Sequence, residues 1–142
     1  MTSILRKNVS LNWFDLLVIC SCILFFIGGA AINVHNFWQF NLGYYDFGIF
    51  DRAIWSVAHL QPPVIDHFIV PGKLNFADHF NPSIYIFAPI YWFTDKSEYI
   101  LIMPSLFVAI SGFFLYLIGK KILKDKISAF VILVCYFLYQ GL

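Results

Sequence analysis

The run LLVICSCILFFIGGAAI, residues 16–32, contains no charged side chain. The uncharged stretch continues to Tyr45, so it has room for the helix of about 20 residues that crosses a bilayer. We therefore predict a cytoplasmic N-terminus at residues 1–12 and a first transmembrane helix at residues 13–34. A cleaved signal peptide is the alternative, because the small residues 28–31 resemble a cleavage site.

The overall composition is that of a membrane protein. Of the 142 residues, 61% are hydrophobic and 12% are charged, whereas soluble domains carry about 25% charged residues. The formal net charge is +1, so the chain lacks the basic excess of a protein that binds nucleic acid. We expect the lipid bilayer to be a partner and nucleic acid not to be one.

Two further apolar runs follow the first. Residues 99–119 are uncharged and are followed by Lys120 and Lys121, which predicts a second transmembrane helix at residues 99–119. Residues 127–142 begin a third run that is too short to complete a crossing. The pattern predicts an all-α membrane protein with three transmembrane helices, the third truncated. We expect the chain to be the N-terminal part of a longer polytopic protein, whose remainder is then a partner.

The basic residues predict an orientation. Arg6 and Lys7 precede the first run, and four lysines lie between residues 120 and 126. Because cytoplasmic loops carry an excess of Lys and Arg, we predict a cytoplasmic loop at residues 120–126. Residues 35–98 then form a mostly helical extracytoplasmic domain in a multi-pass protein of the cell membrane.

The stretch YYDFGIFDRAIWSVAH, residues 44–59, contains the first candidate site residues of this outer domain. Asp46 is a favourable N-cap, and apolar residues recur after it at helical spacing. We predict a surface helix from Asp46 to His59, with its aromatic side in the headgroup region. Arg52, Ser56 and His59 fall on the opposite side, which is expected to face water.

Proline and glycine divide the part of the outer domain that follows. Pro62 and Pro63 are expected to stop the first surface helix. Pro71 and Gly72 predict a turn, because this pair favours chain reversal. The intervening segment is therefore predicted to be a hairpin-like excursion.

A second surface helix is predicted at residues 82–87. Asn81 is expected to be its N-cap, with proline at the first helical position. Pro89 is expected to kink or end it. Tyr91 and Trp92 carry the ring types that favour the membrane–water boundary, where we expect both to lie.

All four histidines lie in the outer domain. Asp78 and His79 are adjacent, and Asp66 and His67 form the same pair earlier in the chain. Carboxylate with imidazole is a combination that binds divalent cations or exchanges protons. The spacing matches no established ligand motif, and the structural alternative is that Asp78 begins the turn before the second surface helix.

Other polar and aromatic side chains of residues 44–59 have two interpretations each. Asp46 is a helix cap or a general base at the bilayer surface, and the two roles are compatible. Arg52 binds a phosphate or belongs to the solvated face of its helix. Trp55 anchors the domain in the interface or stacks on a sugar ring.

Four short motifs carry a family resemblance. They are YDFGIFD at residues 45–51, AIW at 53–55, DHFNP at 78–82 and APIY at 88–91. Together they resemble the N-terminal region of the bacterial and archaeal polytopic membrane proteins grouped as domain-of-unknown-function family 2079. The resemblance covers about residues 43–123. Arg52 and Pro104 each stand where that pattern has glutamine.

The resemblance implies a function. The family is similar in layout to the GT-C glycosyltransferases, which transfer a sugar from a polyprenyl-phosphate donor at the outer membrane surface. The implied candidates are Asp46 (the base), Asp51 and His79 for catalysis; Arg52, Trp55 and His59 for substrate binding; and Asp78 and His79 for a metal, either Mg²⁺ or Mn²⁺. The phosphate-binding groups are expected in later loops, so the fragment alone is predicted to be inactive.

A transporter and a non-catalytic assembly protein are the alternatives. Residues 16–32 and 99–119 contain no Asp, Glu, Lys, Arg or His, whereas transport pathways usually place such groups inside the bilayer. Polar residues confined to the outer domain fit an assembly protein equally well. The residues by themselves leave open whether the protein is an enzyme.

Overall fold

The computed structural model describes residues 12–42, 44–65, 72–77 and 80–140, but not the side chains of residues 44–46, 65 and 140. The elements in chain order are α1 (Trp13–Trp38), α2 (Tyr44–Ala58), β1 (Val64–Ile65), β2 (Lys73–Leu74), a 3₁₀ turn (Asn75–Ala77), a 3₁₀ helix (Pro82–Trp92), α3 (Glu98–Leu123) and α4 (Lys126–Gln140). Apart from one pair of short strands, the regular secondary structure of the described residues is helical. The predicted all-α class therefore fits.

Two helices in the described part of the chain are long and apolar enough to cross a membrane, α1 and α3. Each has 26 residues, a length of about 39 Å at 1.5 Å per residue. Both are longer than the predicted transmembrane helices at residues 13–34 and 99–119. The helix α4 is apolar but has 15 residues, so a third transmembrane helix stays a prediction.

The chain forms two compact units, to both of which α1 and α3 contribute residues. The first comprises residues 1–27 and 107–142. Its buried core residues come from α1, α3 and α4: Val18, Cys22, Ala109, Tyr116, Ala129 and Leu133. A Cβ atom on Gly112 would lie 2.5 Å from the Phe137 ring, so α3 and α4 approach closely at this position, as small residues allow in membrane helices.

Two polar contacts of the first unit lie near helix ends. Lys120 Nζ lies 2.9 Å from Asp15 Oδ1 and pairs the two charges. Asp125 caps α4, because its carboxylate accepts the Ser128 backbone N–H at 2.8 Å and the Ser128 hydroxyl at 2.6 Å. The hydroxyl and then the backbone bond hold the pKa of Asp125 below its usual value. This cap explains why α4 begins directly after Asp125.

The second unit comprises residues 28–106, and in it α2 packs against the 3₁₀ helix. Its buried core residues are Ile54, Ala58, Ala88, Tyr91 and Ile100. The apolar side of α2 is therefore used within the protein, although we expected it to enter the headgroup region. Ser56, expected to face water, is 3% exposed; it lies on the same side of α2 as Ala53, three residues earlier, which is also buried.

The second predicted surface helix is a 3₁₀ helix that runs from Pro82 to Trp92. The expectation that Pro89 would kink or end it is wrong. Proline fixes a φ near −65°, which the 3₁₀ conformation shares. Asn81 makes no side-chain cap bond; its Oδ1 atom instead accepts the Ser83 hydroxyl at 2.6 Å.

The predicted hairpin-like excursion is confirmed as an antiparallel pair of two-residue strands. Val64 pairs with Leu74, and Ile65 pairs with Lys73. Gly72 has a φ of +77°, a conformation that glycine adopts without steric cost. Pro71, the other half of the predicted turn, lies outside the described residues.

In the second unit, α1 and α3 are joined by polar side chains. Asn33 Nδ2 donates to the Leu101 carbonyl at 3.1 Å and to Ser105 Oγ at 3.3 Å. A Cβ atom on Gly29 would lie 2.7 Å from Ser105 Oγ, so the two helices are in close contact. Pro104 leaves a helix carbonyl without its usual donor, and Asn33 supplies a donor one residue further along α3.

Candidate functional site

The helix α2 begins soon after the end of α1, a helix long enough to cross a membrane (a span-length helix). Only residues 39–43 separate Trp38, the last residue of α1, from Tyr44. Asp46 lies in the first turn of α2, so the prediction that it is the N-cap is wrong. A first-turn carboxylate is still stabilised by the positive end of the helix dipole. The Asp46 side chain lies outside the described part of the structure, and its catalytic role stays a prediction.

Asp51 joins three segments of the second unit. Its Oδ1 atom accepts the Tyr91 hydroxyl in a very short hydrogen bond, and its Oδ2 atom accepts the Ser97 hydroxyl at 2.8 Å. Tyr91 is 4% exposed. Burial, and then the bond to Asp51, raise the pKa of Tyr91 well above its usual value. The tyrosine therefore stays protonated and keeps donating at neutral and mildly basic pH.

Three substrate-binding candidates form one stack along α2, which we call the Trp55 stack: Arg52, Trp55 and His59. The Trp55 and His59 rings lie 4.0 Å apart at an interplanar angle of 27°. Arg52 Cζ lies 4.5 Å from the Trp55 ring centre. Trp55 Nε1 also donates to Asp95 Oδ1 at 3.4 Å. The indole is thus already in contact with a cation and an imidazole, both on exposed side chains.

The comparison with protein families decides the affiliation. The family described as predicted membrane protein DUF2079 matches residues 36–142, which is most of the chain. The chain belongs to the DUF2079 family. With α1 and α3, this membership identifies a membrane protein associated with the lipid bilayer. No curated protein and no solved structure matches the chain.

The DUF2079 match includes all four motifs on which the resemblance rests. Of the site candidates that the resemblance implies, the structure brings Arg52, Trp55 and His59 together. It places Asp51 in a separate hydrogen-bonded cluster. Asp78 and His79 lie outside the described residues, as do Asp66 and His67. Among the residues that the structure describes, no group of three His, Cys, Asp or Glu side chains could hold a metal ion.

His59 has a defined tautomer when neutral. Its Nδ1 atom lies 2.8 Å from the Trp55 carbonyl oxygen, which can only accept a hydrogen bond. The proton therefore resides on Nδ1, and Nε2 is the acceptor of the neutral ring. The exposed side chains of His59 and Arg52, each in contact with the Trp55 ring, suit a ligand that offers both a hydroxyl and an anionic group.

Tyr91, Ser97 and Asp95 are site residues that the sequence analysis missed. Tyr91 was expected at the membrane–water boundary, but it is buried and its hydroxyl bonds to Asp51. The polar residues 94–97, just before α3, are the signal that was available. They interrupt an otherwise aromatic stretch, and two of them bond to side chains of α2.

Proposed function

We propose that this DUF2079 protein contributes the first outer segment of a membrane glycosyltransferase of the GT-C layout. In this proposal a sugar moves from a polyprenyl-phosphate donor to an acceptor at the outer membrane surface. The observation that carries it is the short connection, residues 39–43, between a span-length helix and α2. It keeps Asp46, in the first turn of α2, close to the membrane boundary where a lipid-linked donor resides.

The chemistry requires a base and a way to accommodate negative charge. Asp46 would take the proton of the acceptor hydroxyl while the hydroxyl oxygen bonds to the anomeric carbon of the sugar. The bond from that carbon to the phosphate oxygen breaks, and the electron pair leaves with the phosphate. Arg52, exposed on the next turns of α2, offers the planar fork that suits a phosphate.

Asp51 has a different role in this proposal. Both of its carboxylate oxygens accept hydroxyl donors, from Tyr91 and Ser97, so both are engaged in contacts within the protein. We assign Asp51 as a positioning residue that holds α2 against the segments before α3. The residues suggested for Mg²⁺ or Mn²⁺, Asp78 and His79, lie outside the described residues, and no step is derived through a metal ion.

The test uses membranes of cells that produce the full-length protein of the encoding gene. Asp46→Asn removes the charge but leaves an oxygen in the first turn, at a stability cost of about 0.3–1 kcal/mol. If Asp46 is the base, transfer from a radiolabelled polyprenyl-phosphate sugar should fall by about 10²–10⁴-fold. The measurement is initial rate at matched protein level.

Lys124→Gln is the matched control, because it also removes one charge, from an exposed side chain just after α3. The transfer rate of this variant should stay at the wild-type level. Full transfer by Asp46→Asn would remove the base assignment. A wild-type protein without transfer from any polyprenyl-phosphate sugar would leave transport or membrane assembly as the function.

A further inference from the structure

In the second unit, α1 and α2 end with the same pattern of backbone hydrogen bonds. Beyond α1, the Phe40 N–H bonds to the Phe37 carbonyl at 3.0 Å, and the Asn41 N–H bonds to the Asn36 carbonyl at 2.9 Å. This pair of bonds is the Schellman motif, which needs a left-handed residue just past the helix. Phe40 is that residue, with a φ of +56°.

The end of α2 repeats the pattern. The Leu60 N–H bonds to the Val57 carbonyl at 3.0 Å, and the Gln61 N–H bonds to the Ser56 carbonyl at 2.9 Å. Leu60 has a φ of +57°. Glycine is the usual residue at this position, because a side chain there meets the backbone. Both caps therefore carry a large apolar residue where its conformation is unfavourable.

The side chains of these two residues have no packing role that would offset the strain. Phe40 is 94% exposed and Leu60 is 95% exposed. A third left-handed residue, Lys124 after α3, is polar. Exposure to water explains a lysine at such a position but not phenylalanine or leucine, which suit an apolar environment.

Both caps lie near the end of a helix that is long and apolar enough to cross a membrane. Phe40 follows α1, a span-length helix, by two residues. Trp38 Nε1 donates to Glu98 Oε1 at 3.4 Å, so the end of α1 and the start of α3 lie at one level. Leu60 is beside the end of the 3₁₀ helix, because the Trp92 indole N–H donates to the Ala58 carbonyl at 2.8 Å.

Only a short segment connects the end of the 3₁₀ helix to α3. Phe93, itself exposed, is followed by four residues before α3 begins at Glu98. An extended chain covers at most about 3.6 Å per residue, so Phe93 lies within about 18 Å of the start of a span-length helix. Trp92 and Phe93 add exposed aromatic rings to Leu60, and tryptophan favours the membrane interface.

We propose that Phe40 and Leu60 insert into the lipid headgroup region and anchor α2 to the bilayer surface at both of its ends. The inserted partner is lipid, with Trp92 and Phe93 beside Leu60 in the same interface. The helix α2 has 15 residues and would then lie along the surface with Arg52 and His59 at headgroup level. This anchoring does not depend on the proposed sugar transfer.

The experiment places an environment-sensitive fluorophore on single cysteines of the full chain, after the three native cysteines are replaced by alanine. The positions are Phe40→Cys, Leu60→Cys and, as control, the exposed Ser83→Cys. The protein is reconstituted into vesicles of phosphatidylethanolamine and phosphatidylglycerol. A nitroxide-labelled lipid should quench positions 40 and 60 at least twofold more than position 83, whereas aqueous iodide should show the reverse order.

Any other quenching result would contradict the proposed insertion of Phe40 and Leu60 into the lipid. Equal iodide quenching at all three positions would show that Phe40 and Leu60 face water. Protection of positions 40 and 60 from both quenchers would show that protein covers them. Phe40→Gly with Leu60→Gly should preserve the caps and so separates anchoring from folding. In vesicles this double variant should show faster hydrogen exchange in α2, and Lys124→Gly should not.

Discussion

At the residue scale, the hydrogen bonds of Asp51 support the positioning role that we propose for it. Its two oxygens accept hydroxyl donors from residues 40 and 46 positions later in the chain. Hydrogen bonds to charged groups are stronger than neutral ones, so these contacts hold α2 to the segments that precede α3. In our proposal, Asp51 therefore influences the site through the placement of its helix.

The first prediction at this scale concerns Tyr91. Tyr91→Phe keeps the ring in the core but removes the donor to Asp51, so the free energy of unfolding should fall by about 1.5–3 kcal/mol. The measurement is thermal unfolding of the purified chain in detergent. Tyr99→Phe is the matched control, because Tyr99 is 46% exposed. Equal stability of the two variants would contradict the anchoring role of Asp51.

At the scale of elements, the pairing of α1 with α3 in the second unit depends on small and polar residues. In lipid, apolar side chains gain little by leaving the solvent, so close backbone contact and interhelical hydrogen bonds hold helices together. Gly29 permits the contact with Ser105, and Asn33 donates to Ser105 and to the Leu101 carbonyl. These residues fix the register of the two helices.

Two neighbouring glycines provide the prediction at this scale. Gly29→Leu places a side chain where a Cβ atom already lies 2.7 Å from Ser105 Oγ, whereas a Cβ on Gly28 meets nothing within 4 Å. Gly29→Leu should destabilise the chain by about 1–3 kcal/mol, as overpacking does, and Gly28→Leu should leave it near the wild type. Thermal unfolding in detergent compares the two. A larger loss for Gly28→Leu would argue against the α1–α3 contact.

At the scale of the whole molecule, the distribution of charge predicts how the protein is inserted. The lysines near residues 120–126 lie at the end of α3 and the start of α4, and Arg6 and Lys7 precede α1. By the positive-inside rule both groups belong to the cytoplasmic side. The site residues of the second unit then face the outer side, which is the arrangement that the proposed function needs.

Cysteine labelling in intact cells tests this topology. Ser83→Cys and Lys124→Cys are both exposed positions, each introduced after the native cysteines are replaced by alanine. An impermeant thiol reagent should label position 83 in intact cells and position 124 only after lysis, because α3 separates the two positions. The opposite order would invert the orientation, and labelling of both positions in intact cells would mean that α3 does not cross.

The sequence alone determined the features that depend on local pattern. A long uncharged run predicts a span-length helix wherever it packs, so α1 and α3 were predicted, with ends a few residues short. The start of α2 within two residues of Asp46, the strand pair before Asn75 and the family motifs also follow from nearby residues. Each of these signals needs no knowledge of distant contacts.

The tertiary structure decided which side chains meet. Tyr91 and Ser97 bond to Asp51 because α2 packs on the 3₁₀ helix, and nothing near Tyr91 in the sequence indicates this partner. The use of the apolar side of α2 within the protein follows from the same packing. A residue's spacing in its own helix defines the face on which it lies, but only the neighbouring element decides whether that face meets water, lipid or protein.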